Sequence, residues 1–471
     1  MDNYSLSTVL RCASCLCVPV VALALPPLVL ALILYRKGRK SAAAGLAGVG
    51  TCCLVVGMCY VVQAVSPLVD DEPFMMHPRC WARVQPESSS WIAFESRTNA
   101  LWIVQPSTGE GRQLTSDMDR LSLAGAEPDW TPWAPDGRTL AFAAELEGEI
   151  GVFTLRLDAL RPTKLVGDLG GWPGQISWSP GGDKLAFQVG DWDAERCFVV
   201  DVQTGQLTEL CRDLEACYSP VWLRDGRSLV WIGVEDGYHD VYVYDTHSGE
   251  SSAITRHYSS SRIWSLSPSP DGSQIAVDDS PHLPQSFVTL IQMSNGALRG
   301  IETGIAIDLY PHWSPSGDYI ALWSGGNNQD YAAMVDPESG SAKAIAGPFL
   351  IRGATRWAPD GDKLAVSVYA ETELPATYGE KDSGIYVYDV RRDCLYNLTA
   401  KQTVPWSMDV SWGPKGMQLA YQGVDGSICV VNYDGTGLQV VGWGSSPAWA
   451  PVANMDVRIA DSPAPSAASA P

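Results

Sequence analysis

Basic residues and histidine are scarce in this chain of 471 residues. Lysine and arginine number 32 against 53 aspartates and glutamates, a formal net charge of −21. Phosphate recognition needs a basic footprint, so nucleic acid is excluded as a partner class. The six histidines (His77, His239, His247, His257, His282 and His312) are scattered without metal-ligand spacing. Nowhere does the chain hold a Gly-x-Ser-x-Gly elbow, a His-Glu-x-x-His pair or a phosphate-cradling glycine loop. The expectation is therefore a protein without catalytic residues and without a cofactor. Charged residues are only 18% and hydrophobic residues 46%, so the chain has material for a large core. Its 44 glycines and 32 prolines argue for many turns and few long helices.

Charge is also absent from two long stretches near the start. Residues 16–35 and residues 42–69 carry none, and each is long enough to cross a hydrocarbon core of about 30 Å. Between them lies Arg-Lys-Gly-Arg-Lys, and Asp70-Asp71-Glu72 follows the second. The positive-inside bias puts the basic turn in the cytoplasm. The reading is a short extracytoplasmic start (1–15), two transmembrane helices (16–35 and 42–65) and a linker (70–84). An extracytoplasmic body (85–460) and a disordered Pro/Ala/Ser tail (461–471) complete it. Of twelve cysteines, six lie in or beside the apolar stretches. In the body, Cys211 suits either Cys217 or Cys197 as a disulfide partner, and the spacing leaves both open.

Beyond residue 85 one pattern recurs. It reads PWAPDGRTLAF from Pro132, SWSPGGDKLAF from Ser177, VWLRDGRSLVW from Val221 and SPSPDGSQIAV from Ser267. HWSPSGDYIAL from His312, RWAPDGDKLAV from Arg356 and SWGPKGMQLAY from Ser411 continue it. The Trp-equivalent positions, Trp133 to Trp412, are spaced by 45, 44, 46, 45, 44 and 55 residues, with Pro268 replacing one Trp. Each unit reads as a short strand ending in Trp, a Pro-Asp-Gly turn and a continuous apolar strand. A third strand such as GIYVYD, a Thr-Gly or Ser-Gly turn and a strand ending in Leu-Thr or Ile-Thr follow. Four antiparallel strands per period of about 45 make one propeller blade. The stretch from Trp91 to Thr115 matches only the last three strands of a unit, and SPAWAP from Ser446 only the first. Joined, they close the ring and remove its free edges. The count is eight blades, with seven as the alternative because the last spacing, from Trp412 to Trp449, is 37.

The W-S-P-D-G-x-x-L-A-F unit, followed by I-Y-V-Y-D and T-G-E…L-T, resembles the TolB-type, WD40-like propeller repeat over residues 85–451. It is also similar to the propellers of the dipeptidyl-peptidase and prolyl-oligopeptidase family, without their hydrolase domain. The resemblance implies an all-β propeller; with no catalytic motif in the chain, the expectation is a membrane-anchored module that binds a protein or ligand. The alternatives are a propeller-type lyase or hydrolase with its site at the central channel, and an accessory subunit of a membrane complex.

Aromatic residues precede most of the first strands: Trp130, Trp172, Tyr218, Trp264, Tyr310, Trp406 and Trp443. Their position three to six residues before the repeat Trp places them around the channel mouth, with Gln175, Asp308, Arg352 and Asp409 among them. Aromatic platforms with a few polar groups suit a protein partner or an envelope glycan or peptide. Acidic residues cluster on the same face. Asp191 and Asp193 in extended chain point the same way, and with Glu195 they are the candidate ligands for Ca²⁺.

Overall fold

The computed structural model describes residues 90–115, 118–123, 131–190, 194–279, 287–303, 310–323, 330–349, 355–368, 384–399, 410–423 and 425–452. The two apolar stretches, the linker and the tail lie outside the described residues. Among the described residues no helix is long and apolar enough to cross a membrane.

Eight four-stranded antiparallel sheets form the ring. Blades 2 to 8 each take their strands from consecutive sequence, from Arg120–Ser122 at the start of blade 2 to Gln439–Trp443 at the end of blade 8. Blade 1 is built from both ends. Ser445–Trp449 pairs antiparallel with Ile92–Glu95, with Ile92 opposite Trp449 and Ala93 opposite Ala448. The Ala450 N–H donates to the Trp91 carbonyl at 2.8 Å and Ser90 Oγ to the Ala450 carbonyl at 3.1 Å. Eight is thus the count, and the strand expected from SPAWAP closes the ring. The short last spacing includes a one-residue passage, Gly444, between the last strand of blade 8 and the closing strand. Gly444 makes the passage from blade 8 into the closing strand possible: a Cβ there would overlap the Glu95 carbonyl.

The second strand of each blade is apolar on both faces because both faces are buried. Buried residues fall into eight clusters, one for each interface between neighbouring blades. In blade 3, Leu185, Ala186 and Phe187 are fully buried. The repeat Trp joins blade to blade. The indole N–H of Trp178 donates to the Pro132 carbonyl at 3.0 Å, that of Trp222 to Ser177 at 3.2 Å and that of Trp357 to His312 at 3.0 Å. Trp412 donates to Arg356 at 3.0 Å and Trp133 to Ala448 at 2.9 Å. In each case the acceptor is the residue before the Trp position of the preceding blade, so one side chain supplies both buried area and register.

Turns repeat the same economy. The Asp of the Asp-Gly turn accepts main-chain N–H groups two and three residues on: Asp136 from Arg138 (2.7 Å) and Thr139 (3.1 Å), Asp225 from Arg227 (2.9 Å) and Ser228 (2.8 Å). The Thr of Leu-Thr or Ile-Thr accepts from the third strand: Thr115 from Leu101, Thr255 from Val241 and Thr399 from Ile385, at 2.9–3.0 Å.

Candidate functional site

Tight turns occupy one face of the ring, and the connectors between blades, together with the loops between second and third strands, occupy the other. On the connector face, blades 3, 4 and 5 bring together a group of polar and aromatic side chains. Glu195 precedes the third strand of blade 3, and its side chain is only 7% exposed. Arg262, in the connector between blades 4 and 5, donates through Nη2 to both Glu195 oxygens at 3.0 and 2.9 Å. Its guanidinium lies 4.1 Å from the centre of the Tyr218 ring and 5.5 Å from that of Trp264. Tyr218 Oη and His239 Nδ1 share a hydrogen bond of 2.8 Å. Burial pushes the Tyr218 phenol well above its ordinary value. Burial, and then the Arg262 charge, push the His239 imidazole down, so it is neutral at pH 7.

Two buried carboxylates fix the connector that carries Arg262. Asp240 accepts from Thr255 Oγ1 (2.7 Å) and from the main-chain N–H groups of His257 (2.9 Å) and Tyr258 (3.0 Å). At the other end Asp278 accepts from the N–H of Trp264 (2.9 and 3.0 Å) and of Ser265 (2.9 Å). Buried carboxylates need such donors, and here the donors come from the connector itself. The result is a loop held at both ends, presenting Trp264 with 41% of its surface exposed.

The other expected site residues are placed as follows. Tyr310 is half-buried, its ring stacked on Trp323 at 4.4 Å. Trp172 is half-buried with Arg120 above it at 3.9 Å. Gln175 has a left-handed backbone (φ 50°) in a bulge of the blade 3 inner strand, and Ser219 and Ser446 occupy the matching position in blades 4 and 1. Two placements correct the reading of the sequence. Tyr218 is 2% exposed and is a packing partner for Arg262, not an open platform. Trp443 ends the outermost strand of blade 8, opposite Ser427, so it lies on the rim and not at the channel mouth. Trp130, Asp308, Arg352, Trp406 and Asp409 lie outside the described residues, as do Asp191 and Asp193. Glu195 is committed to Arg262, and among the described residues no three His, Cys, Asp or Glu side chains are placed to hold a metal ion.

Arg262, Asp240 and Asp278 escaped the sequence reading as a group. Their roles depend on contacts between blades, and the only local sign was acidic residues at loop positions. On the opposite face, a cleft of about 640 Å³ opens between blades 5 and 6 beside Pro270 and Trp313, just after the unit in which Pro268 stands for Trp.

Residues 133–294 match the TolB beta propeller domain family. The Tol-Pal system protein TolB of Francisella tularensis is 24% identical over 211 residues, 44% of this chain and 48% of its own length. The chain spans about half the length of the curated relatives it matches. Among solved structures, an oligogalacturonate lyase in complex with manganese superposes with a TM-score of 0.51 at 16% identity, covering 74% of this chain and 97% of its own. Dipeptidyl peptidase 4 of Porphyromonas gingivalis gives 0.48 at 13% identity, covering 65% and 52%. At 16% identity the lyase superposition shows a shared fold and nothing more. The repeat pattern and the closed ring agree: this chain folds as an eight-bladed β-propeller, and residues 133–294 of it match the TolB beta propeller domain family.

Proposed function

We propose that the protein is a membrane-anchored, extracytoplasmic propeller that binds a protein partner on its connector face. The observation that carries this reading is Trp264, a large exposed ring on a connector held by Asp240 and Asp278. Exposed aromatics on rigid supports are the usual anchors of an interface, because little side-chain entropy is lost on docking. The Cys211–Cys217 disulfide supports an oxidising compartment. The two uncharged stretches around Arg-Lys-Gly-Arg-Lys support the anchor.

Photo-crosslinking in detergent extracts tests this. A crosslinker replacing Trp264 should yield one discrete adduct, and excess unlabelled protein should compete it away. The Trp264→Ala/Tyr310→Ala variant should compete poorly while keeping its Tm within about 2 °C, since partly exposed side chains contribute little to stability. Equal adducts from a crosslinker at Lys415, on the turn face, would sink the proposal.

A second reading, a lyase- or hydrolase-type site, rests on the contact of Tyr218, His239 and Arg262, where burial raises the Tyr218 phenol and lowers the His239 imidazole. It requires that His239→Asn abolish a turnover which Trp264→Ala leaves intact.

A further inference from the structure

Two clefts of the turn face occupy matching places, each between neighbouring blades and beside the repeat Trp of the second. One of about 410 Å³ lies between blades 2 and 3 beside Trp178, and one of about 640 Å³ between blades 5 and 6 beside Trp313. Arg156 faces Thr139 across blade 2 as Gln292 faces Gln274 across blade 5, which sets the correspondence. Five residues on, Arg161 corresponds to Ala297. The larger cleft has therefore lost two long cationic side chains. Its size lies in the range of sites that hold small ligands and short peptide segments.

The sign of its lining is reversed as well. Asp136 and two arginines line the smaller cleft, whereas Asp271, Asp318, Glu338 and Arg299 line the larger. Asp271 serves its own turn, accepting from Ser269 Oγ at 2.6 Å and from the Ser273 N–H at 3.0 Å. Arg299 donates to the main-chain carbonyls of Pro337 and Glu338, so its guanidinium is anchored on neutral oxygens. Asp318 and Glu338 are exposed and form no ion pair among the described residues. At the position of Asp318, blades 3 and 7 also carry an aspartate, and there it is paired: Asp183 with Lys184, and Asp362 with Arg391 at 2.7 Å.

The third observation is the Trp itself. Trp313 is 7% exposed and lines the cleft. Five repeat indoles donate to a carbonyl of the preceding blade, but those of Trp313 and Trp449 are buried without an acceptor. In both, the main-chain N–H bonds a serine hydroxyl of the preceding blade instead, Trp313 to Ser267 at 3.0 Å and Trp449 to Ser411 at 2.9 Å. Of these two indoles, that of Trp313 belongs to the cleft. A buried N–H without an acceptor is a standing cost, which an occupant carrying a carbonyl oxygen removes.

We propose that the cleft between blades 5 and 6 binds an extended basic peptide segment. A lysine or arginine of the segment pairs with Asp318 and Glu338, its aliphatic stem lies along Leu298 and Pro270, and a main-chain carbonyl takes the Trp313 indole N–H. A polyamine would satisfy the carboxylates but offers the indole no acceptor. Trp264 and the connector face take no part, so this site stands or falls separately from the function proposed above.

Fluorescein-labelled positional-scanning hexapeptide amides, titrated against the full chain by anisotropy at low salt, test the site. Mixtures with lysine or arginine fixed at one position should bind about tenfold more tightly than those with glutamine there, the effect of one hydrogen-bonded ion pair. Asp318→Asn/Glu338→Gln, both exposed positions, should remove that preference, and Trp264→Ala should leave it intact. Trp313→Phe, checked for folding by circular dichroism, keeps a ring but no donor and should weaken binding about fivefold. No basic preference, or one that survives the Asp318/Glu338 variant, overturns the site. Unchanged affinity in Trp313→Phe, or spermidine displacing the peptide at equal concentration, overturns a peptide as the occupant.

Discussion

The two faces of the ring are made differently. On the turn face each tight turn is closed within its own blade: Asp136 serves Arg138 and Thr139, and Asp225 serves Arg227 and Ser228, while longer side chains such as Arg224 and Lys343 reach other blades. On the connector face the contacts run between blades. Arg262 reaches from the connector before blade 5 to Glu195 of blade 3, 67 residues away, across Tyr218 of blade 4. Local contacts can be copied from unit to unit without penalty. Contacts between blades that lie outside the repeat, such as Arg262 to Glu195 and Tyr218, need partners at several positions at once.

Predictions follow from that difference in order of size. Removing residues from Ser445 onward takes the closing strand from both faces and leaves blade 1 and the Trp133 indole without partners. Loss of cooperative unfolding by circular dichroism is expected, whereas deletion of 462–471 should leave Tm unchanged. Equal melting of the longer truncation and the full chain would falsify the closure.

Arg262→Ala removes the ion pair of a buried carboxylate and the stack on Tyr218. Denaturant unfolding should show a loss of about 3 kcal/mol. Glu195→Gln combined with it should cost much less than the sum of the two single changes, because both act on one contact. Strict additivity would show that the connector face is as local as the turn face.

Acid comes next. Burial, reinforced by the nearby Arg356 charge, holds the His312 imidazole down to about 3. The unfolded chain binds a proton near pH 6.5, while the folded ring does not until far lower. Stability is therefore complete above pH 6.5 and declines as pH falls toward 3. His239 acts in the same direction. Between pH 7 and 5 the His312 contribution alone amounts to about 2 kcal/mol, and His312→Gln should flatten the profile by that amount. An unaltered profile would place the ring in contact with water.

The smallest effect belongs to the turns. Asp136→Ala should cost about 1 kcal/mol, and Asp136→Ala with Asp225→Ala the sum of the two, since the turns share no partner.

Much of the skeleton was readable from residue order. The Pro-Asp-Gly turns, the doubly buried second strands and the Leu-Thr ends are each set by chemistry within a few residues. The halves at Trp91 and Ser446 signalled closure because each lacked what the other held. The site was less open to reading. Trp264 could be expected at a loop, but nothing near Tyr218 distinguishes a buried ring from an exposed one. Arg262 is an ordinary loop arginine until Glu195 and Tyr218 are beside it. Trp443 looked like its counterparts by spacing, yet it ends the outermost strand of blade 8 and so lies at the rim.

Sequence alone determined that the chain forms blades and how the ring shuts, since a repeat of about 45 residues with apolar second strands buries them by stacking blade on blade; between eight and seven blades the tertiary structure decided. Tertiary structure decided which face carries individuality and which charges are buried. Those depend on side chains meeting across blades, and the depth of a charge is a property of its neighbours, not of its place in the chain.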